Sequence, residues 1–413
     1  MKRIACCVIV VACLAAALAH AGENPCAYPV AAYSTAELES LRQWEKEWAE
    51  KKITSATVDA VRDFLPESFY RLMKDAATWG ETWFTIVAYR PIEPTPGAVA
   101  MTRRFCGEPA VNADGSLRSW TSGVPFPQAA NGIEMAHNFR CRSYGDGYSS
   151  DETGHLIDGA FGYDRTLHIK NQYLHFSGRT DVQPVPEIPD NTKQLWRAFH
   201  MHQLAPPEVR NLRIIELQYK DDTRPYDSWI WISALRRIRR RSTSERQDAQ
   251  GGADFCGYDN FGWDGPVHIN TYRNLGRRDV LLCRHNDQRQ LVHTPGKCLY
   301  DGTRRERINA HVLEITSRDP NFLYSKMIWY LDPETWQILY SDRYDRDGRL
   351  WKVLDQLGST SPGPGGTTVS FFNANQMIDV QRRHSTAGRV DYVFGTKPDT
   401  QVVSLQYLQK HGY

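Results

Sequence analysis

Across residues 322–354 side chains alternate with a period of two on either side of Asp332-Pro333-Glu334-Thr335. Asp in the first place and Pro in the second is the order a type I turn prefers, so four residues suffice to reverse the chain. This register sets Leu331 opposite Trp336, Trp329 opposite Ile338 and Met327 opposite Tyr340, and makes one hairpin face wholly apolar. The other face carries the mixed set Lys326, Ile328, Tyr330, Gln337, Leu339 and Ser341. A second turn at Asp345-Arg346-Asp347-Gly348 leads to a third strand over residues 349–354, which completes an antiparallel meander.

The same texture runs through most of the chain. Asp227-Ser228-Trp229-Ile230-Trp231-Ile232 reads as a strand with both tryptophans on one face. Further strands are expected near residues 83–89, 165–177, 212–219, 310–316, 369–372 and 390–394, separated by Gly, Pro, Asn and Asp. Residues 358–366 and 242–252 read as loops. Strands without regular intervening helices argue against a parallel α/β fold, and the lack of a fixed repeat argues against solenoids and propellers.

Helices are expected only near the start. Ser34-Thr35-Ala36-Glu37 fits a capping box, with Leu38, Leu41 and Trp48 following close to one face. A second helix is expected over residues 57–65, striped by Val58, Val61 and Leu65. Pro66 stops it and opens a third that carries Phe69, Leu72 and Met73. Amphipathic helices of this kind must lie against something, here the β-rich remainder.

Lys2 and Arg3 precede an apolar run over residues 4–19, and Ala19-His20-Ala21 has the small-x-small form of a signal-peptidase site. We therefore expect residues 1–21 to be a cleaved secretory signal, residues 22–80 a helical segment, and residues 81–413 a β domain forming one unit with it. Removing Lys2 and Arg3 from the 50 bases leaves as many as the 48 acids. A neutral exported chain is a poor match for nucleic acid. A mean hydropathy of −0.54 excludes a polytopic membrane protein.

Cleavage also removes Cys6, Cys7 and Cys13 and leaves an even set, Cys26, Cys106, Cys141, Cys256, Cys283 and Cys298. In an oxidising compartment these favour disulfides, and nearness in sequence suggests Cys283–Cys298 and Cys106–Cys141. No C-x-x-C spacing supports zinc.

Recognisable chemistry is sparse. G-x-S-x-G, H-E-x-x-H, P-loop and dinucleotide glycine patterns are all missing, and no cofactor is implied. His200-Met201-His202 could place two imidazoles on one strand face, but no third metal ligand is evident. Asp254, Asp259 and Asp264 stand among glycines and aromatics, as loop-capping acids or as carboxylates of a glycosidase-like site. Arg236-Arg237-Ile238-Arg239-Arg240-Arg241 reads as a solvated edge strand guarded against aggregation, or as a contact for an acidic partner or anionic headgroups.

Ordered short blocks carry a family resemblance. They are Leu65-Pro66-Glu67-Ser68-Phe69-Tyr70, then Gly123-Val124-Pro125-Phe126-Pro127 with Asn131-Gly132 and Asn138, then residues 227–232 leading into residues 235–240. Tyr330-Leu331-Asp332-Pro333-Glu334-Thr335 and Tyr344-Asp345-Arg346-Asp347-Gly348 complete the set. Together they resemble the bacterial family called domain of unknown function 1329, which is similar in fold to the periplasmic lipoprotein-localisation (LolA/LolB-like) carriers. The resemblance implies a mainly β, α+β architecture, in which a strongly curved antiparallel sheet forms an incomplete barrel covered by N-terminal helices. It also implies handling of a lipid-like or hydrophobic molecule in the periplasm, close to the outer membrane. The partners it implies are a transporter of the resistance-nodulation-division (RND) superfamily and an outer-membrane barrel protein. It implies no catalytic residue.

In that setting Met327, Trp329, Leu331, Trp336, Ile338 and Tyr340, with Trp229 and Trp231, are the candidate lining of an apolar hollow; the plainer alternative is that they fill a core. An exported hydrolase of glycans or esters using Asp254 or Asp259 is the second reading. A scaffold subunit of an outer-membrane complex, with a filled barrel and an exposed apolar patch, is the third.

Overall fold

The computed structural model describes residues 25–160, 162–396 and 399–411; the expected signal at residues 1–21 lies outside the described residues. Helix α1, Thr35–Trp48, starts as its capping box requires: the Glu37 N–H donates to Ser34 Oγ (3.4 Å) and the Ser34 N–H to Glu37 Oε2 (2.7 Å). The segment Val58–Phe64 forms a 3₁₀ helix instead of the expected α-helix. Pro66 forces Leu65 into extended backbone and leaves one short run, in which i and i+3 side chains eclipse and Val58 and Val61 share the buried side. Helix α2, Glu67–Lys74, buries Phe69, Leu72 and Met73, and α3, Ala76–Trp79, follows.

Fifteen strands form one sheet: β1 Lys52–Ile53, β2 Phe84–Val87, β3 Gly147–Asp158, β4 Tyr163–His175, β5 Leu195–Ala205, β6 Arg213–Tyr219, β7 Asp227–Ile232, β8 Arg237–Arg241, β9 Asn270–Leu282, β10 Thr303–Ser317, β11 Lys326–Leu331, β12 Ile338–Tyr344, β13 Leu350–Pro362, β14 Thr368–Asp379 and β15 His384–Phe394. The path of pairing is β1-β2-β10-β11-β12-β13-β14-β15-β3-β4-β5-β6-β7-β8, with β9 also on β10. Every pair is antiparallel except β2 with β10. The result is a large, curved, open sheet with helices, as expected. The arginine run is β8, the last strand on the path. Its Arg239 and Arg240 are paired with Glu245 and Asp227 and exposed to solvent.

Two faces of this sheet are covered differently. Leu41, Val61, Leu65 and Phe69 from the N-terminal helices pack against Ile308, Tyr330, Tyr340 and Val353. Farther along the same face, Ala198, Ile215 and Trp231 are covered by Val402, Val403 and Leu408, the last from α6, Leu405–His411. The other face of the central meander is covered by two elements the sequence reading missed. Helix α4, Pro96–Phe105, is capped by Thr95, and α5, Gly132–Cys141, is capped by Asn131. Met135 and Phe139 of α5 meet Trp329, Leu331 and Ile338.

The hairpin register differs from expectation. Trp336 adopts a left-handed backbone (φ 57°), and the Asp332 N–H donates to the Gln337 carbonyl at 2.9 Å, so the turn extends beyond Thr335. Leu331 then pairs with Ile338, and after a bulge Tyr330 pairs with Tyr340, Trp329 with Ser341 and Met327 with Arg343. The odd offset keeps Ile338 beside Trp329 but turns Tyr340 to the helix-covered face.

A buried ionic knot ties this turn to the helices. Arg284 Nε donates to Asp332 Oδ2 (2.7 Å), its terminal nitrogens reach Glu334 and Glu306, and one of them also meets the Arg90 carbonyl (2.8 Å). Tyr89 donates through its hydroxyl to Glu334 and through its N–H to Glu45 of α1. Burial opposes the Arg284 charge, but the summed pull of Asp332, Glu334 and Glu306 prevails and holds its pKa above the usual guanidinium value.

Neither expected disulfide forms. Cys26 is bonded to Cys106, while Cys141, Cys256, Cys283 and Cys298 are free and buried. Nearness in sequence was the wrong guide, because Cys141 ends α5 inside the core and Cys283 leaves β9 beneath the N-terminal helices. Burial pushes the Cys141 and Cys283 thiols up to about 12, which leaves them poor nucleophiles. A non-reducing peptide map should therefore link the Cys26 and Cys106 peptides, and unfolding should release four thiols from the remaining cysteines. Cys26 and Cys106 lie 80 residues apart, and opening that loop by replacing both with Ser is expected to lower stability by about 4 kcal/mol. A Cys106–Cys141 cross-link would contradict this pairing.

Candidate functional site

On the face opposite α6 the sheet is not filled. A cavity of about 310 Å³ lies there, at the lower end of the range for small-molecule sites. Alternation dictates its wall. Tyr148, Glu152 and Gly154 of β3, Leu167 and Ile169 of β4, Phe199 and Met201 of β5, Ile214 of β6 and Ile230 of β7 all face it. Phe372 of β14, Tyr392 of β15 and Phe261 add aromatic surface. Gly154 stands directly opposite Gly388 in the β15–β3 pair, so two adjacent positions on the wall carry no side chain.

Residues 245–261, from the loop that follows β8, complete the enclosure. Buried ion pairs clamp this segment to the sheet: Arg246 reaches Glu216 (3.2 Å) and Asp264 (3.1 Å), and Arg197 pairs with Asp264. Arg239, Arg241, Glu245 and Asp248 also border the cavity. The Arg239–Glu245 ion pair and the Arg241 Nη2 bond to the Glu245 carbonyl (3.2 Å) leave this border balanced in charge.

Within the apolar wall Glu152 is an outlier. Asn171 Nδ2 donates to its Oε2 at 3.3 Å. Burial pushes its carboxyl up to about 7, with that amide pulling the other way. Asn375 and Gln203 add amide groups.

The three aspartates of the glycine-rich block are engaged by the fold. Asp254 accepts from Thr386 Oγ1 (2.8 Å) and bonds His384 Nδ1 (2.7 Å). Asp259 borders the cavity but is paired with the buried Arg343 and accepts from Tyr324 OH (3.0 Å). Asp264 belongs to the clamp. His200 and His202 both turn away from the cavity-facing Met201, His200 packing on Tyr407 and His202 bonding Asn211 at 3.1 Å. Among the described residues no three His, Cys, Asp or Glu side chains gather as a metal site.

None of the eight candidate lining residues stands on this cavity. Met327, Trp329, Leu331, Trp336 and Ile338 are brought together, but in a layer packed by Phe139, Trp263, Phe322 and Tyr324. Tyr340 lies under the N-terminal helices, and Trp229 and Trp231 lie under the C-terminal segment. The residue between those tryptophans, Ile230, is the one that faces the hollow. The sequence signal for this cavity's wall is the complementary alternation in the strands near residues 165–177, 212–219 and 227–232.

Fold and site together define an open-sheet protein that keeps one apolar compartment beside a packed one. Residues 52–404 match the family model described as protein of unknown function (DUF1329), and the chain belongs to that family. It is similar to an uncharacterised protein of Pseudomonas aeruginosa, 23% identical over 333 residues that cover 73% of this chain and 68% of the relative. Among solved structures, a DUF1329 family protein from Desulfovibrio piger aligns at 15% identity over 67% of this chain and 96% of its own, with a TM-score of 0.49. A LolA-superfamily protein from Nitrosomonas europaea aligns at 12% identity over 68% of this chain and 100% of its own, with a TM-score of 0.41.

Proposed function

We propose that the protein is an exported carrier or chaperone for a lipid-like or otherwise hydrophobic molecule, which it holds in the cavity bounded by β3 to β7. The observation that supports this is an apolar hollow left open on a sheet whose other compartments are filled by the protein's own side chains. Burying a methylene there contributes about 0.8 kcal/mol, so ten of them contribute about 8 kcal/mol, the size of a micromolar binding free energy before association costs are subtracted. Among the described residues no helix is long and apolar enough to cross a membrane. In this reading the mature chain works as one unit, the N-terminal helices bracing the sheet from behind. It exchanges its ligand with an RND-superfamily transporter and an outer-membrane barrel protein, partners that the family resemblance implies.

Solvent extraction of the purified protein followed by mass spectrometry should recover a lipid-like molecule. The delipidated protein should take up a neutral fluorescent alkyl probe with micromolar Kd. Failure of both overturns the carrier reading.

A further inference from the structure

The polar groups inside the cavity select a head group. Asn375 on β14 and Glu152 on β3 project from the two strands that flank β15, whose Gly388 stands between them. A Cβ placed on Gly388 would meet Asn375 Oδ1 at 2.9 Å and Glu152 Oε1 at 3.3 Å, so two oxygens converge on a spot where the chain puts no side chain. Both are hydrogen-bond acceptors when Glu152 is ionised. Asn171, whose amide holds the other Glu152 oxygen, has a buried Oδ1 with no partner. Among the described residues no Lys, Arg or His side chain forms an ion pair with Glu152, and the arginines bordering the cavity bond to Glu245.

Resting on the carrier reading above, we propose that the ligand is an amphiphile with a hydrogen-bond-donating head, an amine or a hydroxyl, seated over Gly388 between Glu152 and Asn375 with its apolar part along β4 to β7. A carboxylate or phosphate head is disfavoured there, because it would face two acceptor oxygens in a desolvated site. A bare cation is poorly served, since calcium takes six to eight oxygen ligands and among the described residues no three His, Cys, Asp or Glu side chains gather to begin such a set. With its carboxyl pushed up to about 7, Glu152 is partly ionised near neutrality. It can then accept from an ammonium as carboxylate, or exchange hydrogen bonds with a hydroxyl in either form.

The test compares dodecylamine, dodecanol and dodecanoate as competitors of a neutral fluorescent probe, on the full chain and on its Glu152→Gln and Asn375→Leu variants. The amine and the alcohol should bind about tenfold tighter than dodecanoate. Glu152→Gln should erase most of the amine's advantage while the neutral probe still binds, which also certifies the fold. Asn375→Leu should weaken amine and alcohol together. Dodecanoate binding as tightly as the amine, or an unchanged ranking in both variants, overturns this inference and leaves the carrier reading standing. Failure of every probe, the neutral one included, overturns both.

Discussion

Replacing Arg284 with Met is expected to lower unfolding free energy by about 3–5 kcal/mol, the loss that follows when a buried charge network loses one partner. The guanidinium is fully buried among Glu306, Asp332 and Glu334 and is the group that reconciles them. Without it three acids share a desolvated pocket in which backbone N–H groups of Arg90, Ile92, Glu334 and Thr335, the Tyr89 hydroxyl and His285 are left to serve them. Burial already raises the Glu334 carboxyl above its usual range against the pull of Arg284, so removing that pull raises it further. The sign with pH follows. Carboxyls whose folded pKa is raised contribute stability below their unfolded value, near 4.5 for Glu, and lose it as pH rises through the folded value. The deficit of Arg284→Met should therefore grow from pH 5 to pH 8 in urea titrations. Arg289→Met, at an exposed arginine paired with Asp287, should leave the urea midpoint where the parent has it at every pH. A deficit below about 1 kcal/mol for Arg284→Met would show that the knot is not what fixes the turn.

That knot also explains what could be read from the sequence and what could not. The Ser34 cap and the break at Pro66 were legible because each depends on atoms a few residues apart. The shared face of Trp229 and Trp231 was legible from the strand period. Which of the two faces stays hollow was not, because Val402, Val403 and Leu408 decide it from far along the chain. The hairpin register failed for the same kind of reason: its turn acids are held by Arg284, 48 residues before Asp332. Helix α5 has its local signals, Asn131 at the cap and Glu134 three residues on, yet eight of its ten residues are buried. A helix surrounded on most sides shows no apolar stripe, so its period is hidden within a strand-rich region. The cavity was the least legible feature, since Gly154 and Gly388 become neighbours only once β3 and β15 pair.

Gly154 allows the cavity to be closed from its own wall. A Cβ at this position would lie 3.7 Å from Leu167 Cβ, an ordinary contact, and the residue sits inside a strand where an aromatic side chain is favoured over glycine. Gly154→Phe should therefore fold with an unchanged or higher unfolding temperature while its ring occupies the hollow. If the ring displaces four ligand methylenes at about 0.8 kcal/mol each, affinity for an alkyl probe falls by about two orders of magnitude. Two further substitutions separate this site from the surfaces the sequence favoured. Met327→Leu repacks the filled layer and Trp229→Phe trims the face under the C-terminal segment, and neither touches the cavity wall. Both should bind the probe as the parent does. Full binding by Gly154→Phe, with a loss in either of the other two, would move the ligand to the opposite face of β7 or to the hairpin layer. Binding lost only in Gly154→Phe ties the ligand to the hollow that the paired glycines leave open.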